Sequence, residues 1–446
     1  MTNYKDYFRG KKVTLMRIGL LGRGVGDAAF LAKCGADVLV VDNAPQEVMQ
    51  LSVDKLKKYK NIRFKFGKYD LEDFRNCDFV LKGAGTPLDS PEIAEAKKHN
   101  IPVEMSASLF AKIAGIPVIG ITGTRGKSTV THLLFHILTL AKKKVLLGGN
   151  VLGVSTLALL PKAKNADYAL FELDSWQLQG FGDSKISPYI SVFTTFLMDH
   201  MNYYKNSLED YFNDKASIFR YQKEGDLLVV GKQVVPFIST WTKGIKSKIV
   251  TPKAKLPAGW SLSIPGEHNV YNALLALDVA KSIGIKDTLL KRALKSFQGV
   301  PGRLELVKTV KKVPFYNDTT ATTPDATVAA LKALGPRRFG KKNIILIMGG
   351  SDKGLDMSGL LTLIPKYCKL GILLSGTGTE RIKPLWGKLK TPAVEYSSMK
   401  DAIAEAYEAA EKGDIVLMSP AFASFGLFKN EYDRGDQFNK WVRKLI

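Results

Sequence analysis

The stretch Ile116–Phe135, IPVIGITGTRGKSTVTHLLF, joins three patterns in twenty residues. PVIGIT is a short apolar run of the kind that forms a buried strand, and TVTHLLFHIL continues with helical spacing. Between them lies Gly123-Thr124-Arg125-Gly126-Lys127-Ser128. A strand, a glycine turn and a helix in this order place backbone N–H groups and a helix N-terminus around an anion. The strict phosphate-loop pattern wants a further glycine where Ile121 stands, so what remains is the shorter Gly-x-x-Gly-Lys-Ser. The context still predicts a phosphate cradle made of Gly123, Thr124, Arg125, Gly126, Lys127, Ser128 and Thr129. Lys127 supplies a charge for the terminal phosphates, and the Ser128 or Thr129 hydroxyl supplies an oxygen for Mg²⁺.

The chain around this stretch has 446 residues, enough for about three domains at roughly 150 residues each. A hydrophobic fraction of 45% with 24% charged residues is that of a globular protein with a core. The apolar segment Val145–Leu160 is broken by Gly148, Gly149, Asn150 and Ser155, which argues against a membrane span. The N-terminal MTNYKDYFRGKKV is polar and basic and carries no export signal. Cys34, Cys77 and Cys368 are far apart and match no metal spacing, so reduced thiols in a cytoplasm are expected. A net charge of +23 has three readings: a solvated lysine-rich surface, attraction to anionic substrates or an anionic membrane surface, or nucleic-acid binding. The lysines are spread along the chain without a dense arm, which favours the first two.

A second glycine turn lies upstream. KVTLMRIGLLG runs into Gly22-Arg23-Gly24-Val25-Gly26, a helical pattern follows, and ADVLVVD ends at Asp42. This is the opening of a Rossmann-like unit with an acid at the tip of its second strand. The alternative is a glycine turn that only packs a helix on a sheet. Apolar strands then alternate with helices through KKVLLGGNVLG, DYALFELDSWQLQ and ISPYISVFTTFLMDH, as in a parallel sheet covered on both faces. Glu172 and Asp199-His200 follow consecutive strands, where such a sheet holds ligands. A lone acid or histidine there is more often structural; two of them beside a phosphate turn point to Mg²⁺. SFQGVPGRLE reads as a linker, and the α/β alternation resumes after it.

The motifs GTRGKST, FELDSWQLQ, MDHMNYY, YFNDKASIFRY, GEHNVYNALLAL, GVPGRLE, NDTTATTPDAT, GGSDKG and SPAFASFGLFKNEYDRGDQF together resemble the Mur ligases of peptidoglycan synthesis, and within them the glutamate-adding branch. The resemblance covers nearly the whole chain. It implies an α/β fold of three domains: a Rossmann-like UDP-substrate domain at 1–110, a central ATP-binding parallel-sheet domain at 111–298, and a Rossmann-like amino-acid domain at 299–446. It implies an ATP- and Mg²⁺-dependent ligase that joins D-glutamate to UDP-N-acetylmuramoyl-L-alanine through an acyl phosphate. Lys127, Glu172, His200 and Lys215 carry the catalysis in this reading. Ser128, Glu172, His200 and a carbamylated Lys215 hold metal. Asn269 and Asn272 match adenine contacts, Arg303 the γ-phosphate and Asp318 the ribose or nucleotide. Gly22, Gly24, Asp42 and Asn43 match positions around the UDP substrate, Asn150 a substrate position near the nucleotide phosphates and the acyl site, and Thr322, Lys353 and Ser424 positions around the amino acid. The expected protein is a cytoplasmic monomer that binds small molecules, with no nucleic-acid partner and no stable membrane insertion.

The family pattern is broken at five places. Thr320 stands where a lysine is usual, and Glu431 where an aromatic is usual; both move the amino-acid pocket toward negative charge. Arg125 replaces an asparagine, Asp174 a serine, and Gly83-Ala84-Gly85 a Ser-Pro-Gly turn. The first two leave open another acceptor, L-glutamate or a neutral amino acid. A nucleotide-binding protein without catalysis is the remaining alternative.

Overall fold

The computed structural model describes residues 3–19, 22–87, 89–151, 153–335 and 342–446. The chain divides into two compact units, Met1–Pro257 with Asn272–Ala293, and Ala258–Tyr271 with Leu294–Ile446. Among the described residues no helix is long and apolar enough to cross a membrane.

The first unit holds two sheets, each wholly parallel. One is built from β1 (Lys12–Met16), β2 (Asp37–Asp42), β3 (Ile62–Phe66), β4 (Phe79–Lys82) and β5 (Val103–Glu104), in the order β3-β2-β1-β4-β5. The second contains β6 (Val118–Thr122), β7 (Val145–Gly149), β8 (Tyr168–Glu172), β9 (Ile190–Phe193), β10 (Leu227–Val230) and β11 (Lys248–Val250), in the order β11-β10-β9-β6-β8-β7. Every residue of VIGIT in β6 is buried, as a strand covered on both faces requires. Its neighbours β8 and β9 put the chain after Glu172 and after Phe193 on either side of the phosphate turn. Helix-and-sheet order thus converts distant stretches of sequence into one edge.

The first glycine turn folds differently from its expectation. The strand stops at Met16, and the helix Arg23–Lys33 begins immediately after Gly22. Leu20 and Leu21, in the expected strand, lie outside the described residues. Gly24 and Gly26 are therefore helical. A Cβ on Gly24 would meet the Ile18 carbonyl oxygen at 2.2 Å, and one on Gly26 would meet Ser155 Cβ at 2.5 Å. These glycines let a helix lie close to a neighbouring backbone, while Gly22 alone takes the left-handed turn at φ 82°.

The second unit holds β12 (Glu305–Val310), β13 (Val313–Asn317), β14 (Ile344–Gly349), β15 (Cys368–Leu374), β16 (Ala393–Tyr396) and β17 (Ile415–Met418), ordered β12-β13-β17-β14-β15-β16, with only the β12–β13 pair antiparallel. β14 shows why a continuous apolar run forms here: Ile344, Leu346 and Met348 join one core, and Ile345 and Ile347 join another on the opposite face. Arg434, from the helix Glu431–Arg443, is fully buried in this unit. Its guanidinium donates to Thr319 Oγ1 (3.2 Å), the Thr319 carbonyl (2.8 Å) and the Phe422 carbonyl (3.2 Å). Truncation would leave those acceptors dry. Arg434→Ala is expected to cost the second unit about 3 kcal/mol. Hydrogen exchange at the β13 and β17 amides in denaturant measures this, and unchanged protection would show the guanidinium to be dispensable.

Candidate functional site

The phosphate turn is built by glycine. Gly126 caps the helix Lys127–Leu140 in the left-handed conformation, φ 90°, with no side chain capping the helix N-terminus. Its first N–H groups are left for an anion. A Cβ at Gly126 would stand 2.4 Å from Asn272 Oδ1, and one at Gly123 would stand 2.0 Å from Thr194 Oγ1. Both positions demand glycine because neighbouring groups occupy the space. Lys127 Nζ curls over the turn and donates to the Gly123 carbonyl at 2.9 Å and the Thr124 carbonyl at 3.3 Å. Ser128 and Thr129 are buried at the helix start.

The turn is stitched to the segment after β9. Thr124 N donates to the Thr195 carbonyl (2.7 Å), Arg125 N to Thr195 Oγ1 (2.9 Å), and Leu197 N to Thr124 Oγ1 (3.0 Å). That segment continues into Asp199 and His200. Arg125 Nη1 reaches Asp199 Oδ2 at 3.4 Å, so the arginine that replaces asparagine holds this acid. His200 has φ 56°, a left-handed conformation uncommon outside glycine, and its ring packs on Trp176 at 4.6 Å. Burial lowers the His200 pKa, opposed by Asp199. Neutral imidazole is the form that can donate a lone pair to metal.

Lys215 lies on the helix Leu208–Ala216 and is only 2% exposed. Nζ donates to the Gly123 carbonyl at 3.2 Å and sits 4.8 Å from the Tyr211 ring centroid. Burial drives its pKa well below the ordinary lysine value, and the charge on Lys127 pushes the same way. Tyr211, one helical turn before Lys215, was not singled out from the sequence, although the four-residue spacing places both on one helix face. Its hydroxyl is 3.3 Å from Thr124 Oγ1, so it packs against both lysine and phosphate turn.

Glu172 ends β8 and is buried. Asn150 N donates to its carbonyl at 2.6 Å, and Asn150 Nδ2 approaches its Oε1 at 3.4 Å. Asp174, two residues on, caps the helix Ser175–Asp183 in a capping box with Gln177. Aspartate does this as well as the usual serine, which accounts for that departure. Among the described residues no group of three His, Cys, Asp or Glu side chains forms a ready metal cage. The donor set fits Mg²⁺ if hydroxyl, phosphate and carbamate oxygens join Glu172 and His200.

Around the first sheet, Gly24, Arg17, Arg23 and Lys82 line a cavity of about 230 Å³. Asp42 and Asn43 are not in its lining. Asp42 Oδ1 accepts from Ala44 N at 3.1 Å and turns the chain, and Asn43 is exposed at the tip of β2. Gly22 precedes the helix that borders the cavity.

In the second unit, Asn269 Nδ2 donates to the Pro265 carbonyl at 2.6 Å. Lys353 Nζ meets Thr322 Oγ1 at 3.0 Å, bringing together two residues expected at the amino acid. Ser424 is buried and Arg303 is exposed. Thr320 donates to the Gly302 carbonyl at 3.0 Å, so this replacement ties the linker to β13's end. Glu431 opens its helix, where a negative charge suits the helix dipole. The buried Arg434, unnoticed in the sequence, attracts it and offsets part of its charge. Asp318 is buried, accepts from Leu304 N and Ser419 Oγ, and has its pKa pushed up to about 7 by burial.

Residues 121–261 match the family described as the Mur ligase middle domain, and residues 302–422 the Mur ligase glutamate ligase domain. The chain is 35% identical to UDP-N-acetylmuramoylalanine--D-glutamate ligase of Borreliella afzelii, over 99% of both chains. It is 31% identical to the enzyme of that name from Roseiflexus sp., over 98% of this chain and 99% of the relative. Among solved structures, UDP-N-acetylmuramate-alanine ligase of Thermotoga maritima shares the fold with a TM-score of 0.61 at 20% identity, covering 97% of this chain and 99% of that one.

Two predictions come from these geometries. Gly126→Ala should weaken ADP binding by about tenfold or more, because the left-handed backbone and Asn272 both resist a Cβ. Calorimetric titration reads this, and wild-type affinity would contradict it. Asp318 contributes stability that is full below about pH 4 and lost as pH rises through about 7, since its folded pKa lies above the unfolded value. Wild type should therefore lose thermal stability relative to Asp318→Asn over that window. A gain with rising pH would reject the assignment.

Proposed function

The chain belongs to the Mur ligase family, and from that membership we propose that it is the ATP-dependent ligase joining D-glutamate to UDP-N-acetylmuramoyl-L-alanine in peptidoglycan precursor synthesis. The observation that carries the chemistry is Lys215, buried with its amine on the carbonyl of the phosphate turn. The full-length likeness to D-glutamate ligases supports the acceptor.

Bound ATP with Mg²⁺ supplies the phosphoryl group that makes the substrate carboxylate an acyl phosphate, from which the acceptor amine displaces phosphate to leave an amide. The protein's part is positioning and charge. We assign Gly123, Thr124, Arg125, Gly126, Ser128 and Thr129 to the phosphates, with Lys127 moving from its carbonyl partners onto the transferring group. Glu172, His200, Ser128 and Lys215 are assigned to metal. Burial favours Lys215 as the free amine, which can add to CO₂: an N–C bond forms as one C–O π bond opens, a proton leaves the nitrogen, and the neutral amine becomes a carbamate anion that would hold Mg²⁺ where an ammonium would repel it. Asn269, Asn272, Arg303 and Asp318 are assigned to the nucleotide. Gly22, Gly24, Asp42, Asn43 and Asn150 are assigned to the UDP substrate, and Thr322, Lys353 and Ser424 to the amino acid. Three separate sheets support domains at 1–110, 111–298 and 299–446. The enzyme works as a cytoplasmic monomer on small molecules without nucleic acid, the basic surface drawing in anionic substrates.

Phosphate release with ATP, Mg²⁺ and UDP-N-acetylmuramoyl-L-alanine should require D-glutamate when L-glutamate, D-aspartate and L-alanine are offered beside it. The product should gain the mass of one glutamyl residue. Release with another acceptor would make Thr320 and Glu431 specificity residues, and no release would remove the ligase reading. Protein held in ¹³C-bicarbonate should show a carbamate resonance that Lys215→Arg abolishes, together with about a hundredfold or more of activity. An unlabelled, active wild type would dismiss the carbamate.

A further inference from the structure

Three cations line the cavity beside the first sheet. Arg17 Nη1 donates to the Gly85 carbonyl at 2.8 Å, Lys82 Nζ to Gln179 Oε1 at 2.8 Å, and Arg23 Nη1 to Asn150 Oδ1 at 2.8 Å. Each bond is to a neutral oxygen, and no ion pair of the described residues involves these three cations. Asp183 and Asp214 attract Lys82 from a distance, and Asp214 accepts from the same Gln179 at 2.8 Å. The acid facing Arg23, Asp27, is buried, bonded by the hydroxyls of Ser106 (2.8 Å) and Ser155 (2.6 Å), with its pKa pushed up to about 6. Such a cavity wants an anion of more than one charge.

Arg23 differs from the other two in what it holds. Its partner Asn150 is 127 residues away, in the loop after β7. With Oδ1 taken by Arg23, the Asn150 amide nitrogen faces Glu172 Oε1 at 3.4 Å, and its backbone N grips the Glu172 carbonyl at 2.6 Å. A guanidinium has five donors in a planar fork, so it can hold Asn150 and a phosphate oxygen at once. An ammonium is a point charge and lacks that fork.

We propose that Arg23 is a positioning residue that binds the phosphates of the nucleotide-sugar and, through Asn150, sets the orientation of Glu172, so that filling the substrate cavity aligns the phosphoryl-transfer site. This rests on the reading of the cavity as the nucleotide-sugar site. Arg23 touches no reacting atom; it acts through Asn150.

The test compares wild type, Arg23→Gln, Arg23→Lys, Asn150→Ala and the Arg23→Gln/Asn150→Ala double variant. Initial rates give kcat and KM, and calorimetry without ATP or Mg²⁺ gives Kd for UDP-N-acetylmuramoyl-L-alanine. Arg23→Gln should raise Kd and KM by about tenfold or more and lower kcat by about tenfold, the scale of one charged hydrogen bond at each end. Arg23→Lys should restore Kd to within about threefold while kcat stays low, because charge returns without the fork. The double variant should match Asn150→Ala in kcat, since the two residues act in series. Wild-type kcat in Arg23→Gln, or losses that multiply in the double variant, would overturn the relay alone. A wild type that neither binds nor turns over the nucleotide-sugar would remove the functional reading and the relay with it.

Discussion

The site depends on a seam between two loops of the second sheet. The phosphate turn after β6 lies so close to the segment after β9 that Gly123 has no room for a Cβ, and Thr124 exchanges hydrogen bonds with Thr195 and Leu197. Adjacent strands make this approach possible, and glycine makes it tolerable. The seam fixes the carbonyl of Gly123, and that carbonyl receives both Lys127 and Lys215. It also fixes where the chain goes next, toward Asp199 and His200. In the proposed function, phosphate charge and metal are thereby referred to one piece of backbone.

Burial then sets the protonation states. Lys215 and His200 both have lowered pKa values, and desolvation is the leading cause in each. A carboxylate cage would serve a cation without help, but it would also repel the anions of ATP and the substrate. Neutral amine and imidazole would avoid this, and in the proposed function the anionic ligand for Mg²⁺ would come from adding CO₂ to the amine. Asp27 and Asp318, buried with raised pKa values, follow the same logic on the acidic side. Their hydroxyl and amide partners organise loops with less charge than free carboxylates would bring.

The local patterns were legible in the sequence and the distant partners were not. VIGIT followed by Gly-Thr-Arg-Gly-Lys-Ser predicts its strand, turn and helix because each depends on neighbours a few residues away. The first glycine turn was read less well: Gly24 and Gly26 are helical, serving contacts with Ile18 and Ser155 that no local pattern discloses. No local pattern marks Arg434 either, and its carbonyl partners lie far off in sequence. Nothing local marks Arg23 between its glycines, and its significance depends on Asn150, 127 residues later. Tyr211 could have been found, since it is a full helical turn from Lys215.

In the proposed reaction the substrate carboxylate is activated by phosphoryl transfer at this seam. UDP-N-acetylmuramoyl-L-alanine carrying ¹⁸O in its free carboxylate, incubated with ATP, Mg²⁺ and D-glutamate, reports on that step. Attack of that carboxylate on the γ-phosphate, followed by C–O cleavage when the amine adds, must move one labelled oxygen into inorganic phosphate. Labelled phosphate formed in step with amide is the predicted result. Amide formed with unlabelled phosphate, or with label in AMP, would contradict it.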